Sequence, residues 1–279
     1  MLRSLFKGVF LIVLLGYAGI VLYMSSQETA LLYPGSSRSK VSQFARVQQS
    51  GLRWDTLRVT ARDGVPVFLL ESRLNARSNT PWAIYIHGNG GVVGEDVTRY
   101  QLLQRAGFNV LAVEFRGYGQ SFGVAIPSEE GLYLDGLAAW TYLTKDLRID
   151  PRNIVVYGWS LGGGVATYLA TEVKLAGLIT EATFTSIPNV AKIHFPWLPV
   201  SLVMDNQFDN LSRARNIDIP WLIFHGTGDD LIPILHGEQL NQLAPKATFI
   251  PLTGGHGPVY ENQDVALAHI RTFARKLPY

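Results

Sequence analysis

The chain has 279 residues, 47% of them apolar and 16% charged, which suits one well-buried α/β domain with an extension and excludes a disordered chain. Twenty-four basic residues stand against twenty-two acidic ones, leaving +2, and no Lys/Arg cluster provides a footprint for nucleic acid. With no cysteine, disulfides, thiolate metal sites and lipidation at an N-terminal cysteine are excluded.

The first expected element is a membrane anchor. Arg3 and Lys7 precede an uncharged run from Gly8 to Met24, dominated by Val, Leu, Ile and Phe. Seventeen helical residues reach about 25 Å, and a snorkelling Lys7 with Leu5 and Phe6 extends them toward a hydrocarbon core of about 30 Å. Basic residues before the run and Glu28 after it place the N-terminus in the cytoplasm and the bulk of the chain outside it, in the periplasm of a bacterium. The rival is a cleaved signal peptide, disfavoured because Leu22-Tyr23-Met24 is bulky where a small-residue cleavage site is needed. The expected organisation is a single-pass anchor over 1–25, a tether over 26–50 and one globular domain over 51–279.

Leu52 to Thr60 alternates, and Asp63-Gly64 turns it into Val65 to Glu71, a β-hairpin expected at a sheet edge. Short apolar runs follow at Trp82 to Ile86, Asn109 to Phe115, Asn153 to Tyr157, Gly177 to Thr180, Trp221 to Phe224 and Thr248 to Pro251. Helical stretches lie between most of them, notably Tyr100 to Ala106, Glu129 to Lys145, Val165 to Val173 and Leu235 to Leu243. Ser128 reads as the N-cap of the second of these, with Glu129 and Glu130 at the positive end of its dipole. Alternating strands and helices predict βαβ units and a mostly parallel, doubly wound sheet. In such sheets chemistry sits where strands end at their carboxyl side.

The strand ending at Tyr157 runs into Gly158-Trp159-Ser160-Leu161-Gly162, and a helix follows. A Gly-x-Ser-x-Gly between strand and helix is a nucleophile-elbow pattern, with small residues where strand and helix approach closely. The first parallel strand exits into His87-Gly88-Asn89-Gly90-Gly91, whose Asn89 N–H and that of Leu161 are candidate oxyanion donors. Glycine spacing here does not fit a phosphate loop, and no P-loop lysine follows. Phe115 to Ser121 is expected to brace the rim, with Tyr118 as the one residue of the loop that could touch substrate. Between Glu181 and Pro220 a long, greasy connection predicts a cap over about 184–214, whose aromatic residues either face an acyl group or simply pack on the sheet.

The next strand exits into His225-Gly226-Thr227-Gly228-Asp229-Asp230, where Asp229 at the bend is the candidate acid, ahead of Asp230 and the remote Glu181. Among six histidines, His256 alone combines a strand-exit loop with the chain order Ser…Asp…His. His87, His194, His225, His236 and His269 read as structural or peripheral.

With Ser160, Asp229, His256 and His87-Gly88-Asn89 in place, the sequence resembles the α/β-hydrolase superfamily. It looks like the membrane-anchored branch that includes protein depalmitoylases and related α/β-hydrolase-domain proteins. The stretches that carry this are HGNGG at His87, EFRGYGQS at Glu114, SEEGLYLD at Ser128, GWSLGG at Gly158, TFTSIP at Thr183 and HGTGDDLIP at His225. The resemblance implies Ser160 as nucleophile, His256 and Asp229 as its partners, and ester or thioester hydrolysis, without fixing a substrate. Together with the greasy cap it gives the expected function, a membrane-tethered serine hydrolase working through an acyl-enzyme on carboxylic esters or thioesters with lipid-like acyl groups among its substrates. One departure concerns the base loop: relatives often read Gly-His-Asn-Asp where this chain has Gly255-His256-Gly257-Pro258. No metal or organic cofactor is called for. Other readings on the same residues are an acyltransferase, a peptidase, or a non-catalytic membrane-bound scaffold.

Overall fold

The computed structural model describes residues 2–37, 44–74 and 80–277. Its eight-stranded sheet has the order β1-β2-β4-β3-β5-β6-β7-β8. The strands are β1 (Asp55–Thr60), β2 (Pro66–Ser72), β3 (Trp82–Ile86), β4 (Asn109–Val113), β5 (Ile154–Trp159), β6 (Gly177–Glu181), β7 (Trp221–Gly226) and β8 (Ala247–Leu252). The hairpin β1-β2 is antiparallel and joins β4 antiparallel, while every pairing from β4 onward is parallel. The fold is that of an α/β hydrolase.

Alternation within the central strands explains the layers. Trp82, Ile84 and Ile86 of β3 join one apolar core, and Ala83 and Tyr85 join the other. Both faces are covered, so these strands carry no polar alternation. Over the first face pack α5 (Glu129–Thr141), α6 (Leu161–Glu172) and α10 (Leu235–Leu243), and over the second α4 (Val97–Arg105) and α12 (Gln263–Ala274). Ser128 caps α5 as expected, its hydroxyl accepting from Gly131 N–H at 3.2 Å. Two helices start earlier than periodicity suggests. α6 begins at Leu161, ahead of Val165: of its three glycines, poor helix formers in isolation, Gly162 lies against the β3 backbone, Gly163 against the Thr183 side chain and Gly164 against Phe208.

The connection from β6 to β7 forms α7 (Ile187–His194), α8 (Val200–Val203) and α9 (Asn210–Ala214). α7 and α8 make the overhanging cap. α9 instead belongs to the body, where Asn210 is buried and bonded to Thr167 Oγ1 at 2.5 Å and to the Phe184 carbonyl at 2.8 Å.

The N-terminus begins with α1 (Leu2–Ser26), whose Phe6–Ser26 portion of 21 residues has a mean hydropathy of 2.2 and no fully buried residue. The segment expected as a tether is largely folded. α2 (Glu28–Leu32) and a 3-10 turn over Pro34–Ser37 dock on the body, and α3 (Phe44–Gln49) adds Val47 to the second core. Glu28 is buried and accepts from the N–H groups of Asp205 (2.9 Å) and Asn206 (2.8 Å), while the buried Tyr33 donates to Asn206 Oδ1 at 2.6 Å. Residues 38–43 of the expected tether lie outside the described residues.

One buried histidine tunes stability rather than chemistry. His236, in the first turn of α10, accepts at Nδ1 from Thr185 N–H (3.3 Å), with Thr185 Oγ1 at 2.8 Å. Burial, with the His225 charge second, pushes it down to about 4 from the usual 6.5, against an opposing pull from Asp229. The folded state therefore binds fewer protons than the unfolded one between these values. Its contribution is intact above pH 6.5 and lost as pH falls toward about 4, on the order of 3 kcal/mol in all. Chemical denaturation at stepped pH should show this fall, and His236→Gln should flatten it; an unchanged slope in the variant contradicts the assignment.

Candidate active site

β5 ends at Trp159 and α6 starts at Leu161, so the chain reverses on Ser160, which takes φ 52° and ψ −118°. That backbone region costs a residue with a side chain on the order of 1–3 kcal/mol. The crossing is closed to anything larger than glycine on either side. A Cβ at Gly158 would fall 2.3 Å from the Gly162 carbonyl oxygen, and one at Gly162 would fall 2.2 Å from that of Ile86. Hydrogen bonds hold the strained residue at both ends. Its N–H donates to the Glu181 carbonyl at 2.8 Å, and its carbonyl accepts from Gly163 N–H at 2.9 Å and Thr183 Oγ1 at 3.1 Å.

The Ser160 hydroxyl lies 2.8 Å from Nε2 of His256, and Nδ1 of His256 lies 2.8 Å from Oδ2 of Asp229. An ionised carboxylate only accepts, so Nδ1 carries the ring proton and Nε2 is free to accept from the serine. The other Asp229 oxygen accepts from the N–H groups of Leu231 (3.0 Å) and Ile232 (2.9 Å). Burial raises the Asp229 carboxyl, but the His256 bond and charge, the Ile232 amide and the His225 charge outweigh it and hold it below the usual carboxylate range. Asp230 points to solvent.

Asn89 and Leu161, which carry the candidate oxyanion donors, border the same cavity as Ser160. Leu161 opens α6, where N–H groups have no partner within the helix, and among the described residues no turn or loop bond engages the Asn89 N–H. Asn89 is fixed from the N-terminal segment, donating from Nδ2 to the Leu32 carbonyl at 3.1 Å and accepting at its own carbonyl from Gly35 N–H at 3.1 Å. Tyr118 is a buried brace, its hydroxyl donating to the Asn89 carbonyl at 3.0 Å.

The other histidines serve elsewhere. His87 is buried between Phe115 and Tyr118 and bonds the Gly88 carbonyl at 2.7 Å. His225 donates from Nε2 to the Ile232 carbonyl at 2.7 Å, steadying the Asp229 loop. His194 bonds the Leu231 carbonyl at 2.9 Å, tying the cap to that loop, and His269 sits edge-on to Phe224.

A network missed in sequence lies beneath the serine. Trp159 Nε1 donates to the His256 carbonyl at 3.0 Å, and its ring covers the Arg99 guanidinium at 3.9 Å. Arg99, fully buried, forks onto both Glu181 oxygens at 2.6 and 2.8 Å and reaches Asp96 at 3.0 Å. Tyr157 completes the Glu181 site at 2.6 Å. Glu181 is therefore a structural counter-ion and not a stand-in for Asp229. Its one sequence signal was an acid at a strand exit; Arg99 gave none, because it sits in a helix that reads as polar surface.

Two cavities of different character flank Ser160. An apolar one of about 220 Å³ is walled by Leu161, Phe184, Ile187, Val190, Leu198 and Met204. A more polar one of about 420 Å³ is bordered by Arg46, Glu95, Asp96, Trp159, His256 and Tyr260. Asn89 and Ser160 alone border both among the described residues.

A parallel sheet, a serine on a strained elbow and an apposed histidine define an α/β hydrolase, and the protein is an enzyme of the serine-hydrolase type. The chain belongs to the prolyl oligopeptidase family, whose sequence profile matches residues 95–247. It is 30% identical over 265 residues to an uncharacterised protein of Mycobacterium tuberculosis, covering 94% of this chain and 92% of that one. It is 32% identical over 209 residues to the lysophosphatidylserine lipase ABHD12 of Danio rerio, covering 65% of this chain but 54% of ABHD12. The fold is shared with the Pyrococcus furiosus esterase Pf2001 at a TM-score of 0.72 and 17% identity, over 85% of this chain and 96% of that one. An α/β hydrolase from Vibrio vulnificus matches equally, at a TM-score of 0.72 and 22% identity over 88% and 91% of the two chains.

The elbow makes a sharp demand at Gly162. Gly162→Ala should cost about 4 kcal/mol or more, because the clash is with backbone and cannot be relieved by a rotamer. Denaturant unfolding measures this; an unshifted midpoint refutes the close crossing.

Proposed function

We propose that the protein hydrolyses carboxylic esters joining an apolar acyl chain to a polar alcohol or thiol, with Ser160, His256 and Asp229 as the catalytic triad. The observation that carries this reading is the placement of Ser160 at the junction of an apolar and a polar cavity. An acyl chain fills the first, the leaving group occupies the second, and the scissile carbonyl lies at the serine between them. A peptide is a poorer occupant, because its N–H and C=O groups would go unpaired against the apolar walls. The lipase activity named for ABHD12 agrees with an amphiphilic ester.

In the proposed reaction His256 Nε2 takes the Ser160 proton as the oxygen attacks the carbonyl. The Asn89 and Leu161 N–H groups receive the developing oxyanion, already aimed and needing no reorganisation. Asp229 keeps the imidazole in the tautomer that leaves Nε2 basic and stabilises the imidazolium that follows. His256 then protonates the leaving group; water next attacks the acyl carbonyl while giving a proton to the same nitrogen, which returns it to Ser160 Oγ as the acyl–serine bond breaks and the acid departs. No step calls on a cofactor or metal.

The proposal extends to location. α1 anchors the enzyme in a membrane, with Arg3 and Lys7 on the cytoplasmic side and the hydrolase domain on the other. The anchor over 1–25 and the domain over 51–279 are then joined by residues 26–50, of which 28–37 are docked on the body.

A fluorophosphonate probe tests the nucleophile. Wild type should label and Ser160→Ala should not, with folding stability changed by about 1 kcal/mol or less. Asp229→Asn should lower kcat by about 10⁴-fold, since the wrong tautomer leaves Nε2 protonated. Labelling of Ser160→Ala, or full turnover by Asp229→Asn, overturns the triad.

A further inference from the structure

The anchor is stapled to the cap. The Tyr17 hydroxyl of α1 donates to the Trp197 carbonyl at 2.8 Å, and Ser25 Oγ donates to the Val203 carbonyl at 3.1 Å. Tyr17 stands about 13 Å of helix before the end of the apolar span at Ser26. If the lipid stopped at Tyr17, only Phe6 to Tyr17 would remain, about 18 Å of helix for a hydrocarbon core of about 30 Å. The span fits only if the part of the cap that touches Tyr17 enters the lipid with it.

That part of the cap has the composition for it. From Ile193 to Met204 no Asp, Glu, Lys or Arg occurs, and Lys192 and Asp205 flank the run. Ile193, Trp197 and Leu202 are 49%, 51% and 84% exposed, a large apolar outlay for a surface facing water. Trp at such a corner favours the membrane–water interface, and the Lys192 stem can lie along it. The same corner leads inward. Met24 and Ser25 of α1, with Leu31 and Leu32 of α2, line the apolar cavity together with the cap residues Val203 and Met204.

Resting on the esterase and anchor readings above, we propose that the α7–α8 corner is seated in the lipid leaflet beside α1. The acyl chain of a membrane-resident ester then passes sideways from the leaflet, between anchor and cap, into the cavity at Ser160. The partner of this surface is the bilayer itself.

Because the chain has no cysteine, single cysteines can carry an environment-sensitive fluorophore on the full-length protein in phosphatidylcholine vesicles. Labels at Leu202→Cys and Trp197→Cys should be quenched by brominated lipid and shielded from iodide, as should one at Ile12→Cys in the anchor. A label at Asp218→Cys, on the far side of the body, should show the reverse. Leu202→Asp should then lower hydrolysis of a long-chain monoacyl ester presented in the vesicles by about tenfold or more. Hydrolysis of a water-soluble butyrate ester should stay within about twofold, as for an ordinary surface change. A shielded Ile12 label with an iodide-accessible Leu202 label overturns the seating and leaves the anchor standing. Iodide access at both overturns anchor and seating together. Equal loss on both esters in Leu202→Asp overturns the sideways route, and hydrolysis of neither ester by wild type overturns the esterase reading while the labels still decide the seating.

Discussion

Everything in this molecule answers to the crossing of β5, α6 and β3. Backbone meets backbone there, at Gly158, Gly162 and Ile86, at distances no side chain survives. The crossing forces Ser160 into an unfavourable conformation, and the surrounding bonds to Glu181, Gly163 and Thr183 keep it there. In return the hydroxyl meets Nε2 of His256, and Leu161 opens the helix directly after it. The residue's isolation at a turn of one position leaves its direction little freedom. Reactivity and strain come from one constraint.

The loops that meet the serine need their own support, and they take it from buried charge. Removing one member of a buried pair typically costs about 3–5 kcal/mol, because the partner is stranded in a medium that solvates it poorly. Arg99 avoids that cost by complete pairing: Glu181 takes its fork, Asp96 a third donor, and Trp159 and Tyr260 cover the planar cation. Trp159 then carries the effect upward, since its indole N–H holds the His256 carbonyl. The ion cluster thus lies under the base loop as a rigid floor. Gly257-Pro258 fits this arrangement, with Pro258 opening α11 (Pro258–Glu261) and the following Val259 N–H donating to Glu181 at 3.3 Å.

Most of the fold was legible because its signals are local. Buried strands announce themselves as β-branched runs, and glycine placement marks the elbow. Ser160, Asp229 and His256 stood out because each follows a strand, and the structure brings those three side chains within hydrogen-bond reach. What escaped was long-range and polar. Glu28 and Tyr33 look like linker residues until Asn206, more than 170 positions away, is seen to bond both. Arg99 looks like a surface charge until Glu181 appears opposite. Periodicity reports which side of an element is apolar; it is silent on which charges will be buried together. The cap's extent was similarly blurred, because α9 continues the same β6–β7 connection yet packs against α6 and α10.

The docking of residues 28–37 has a consequence for how such an enzyme meets its substrate. A flexible leash would let the domain sweep a hemisphere of solution above the bilayer. Here the leash is tied down: Glu28 and Tyr33 are locked to Asn206, and Gly35 and Leu32 grip the Asn89 loop itself. With α1 in a bilayer, the active site is carried at fixed height and attitude, and its search is over a plane. Its rate would then follow the mole fraction of ester within the lipid, not the concentration in the surrounding water.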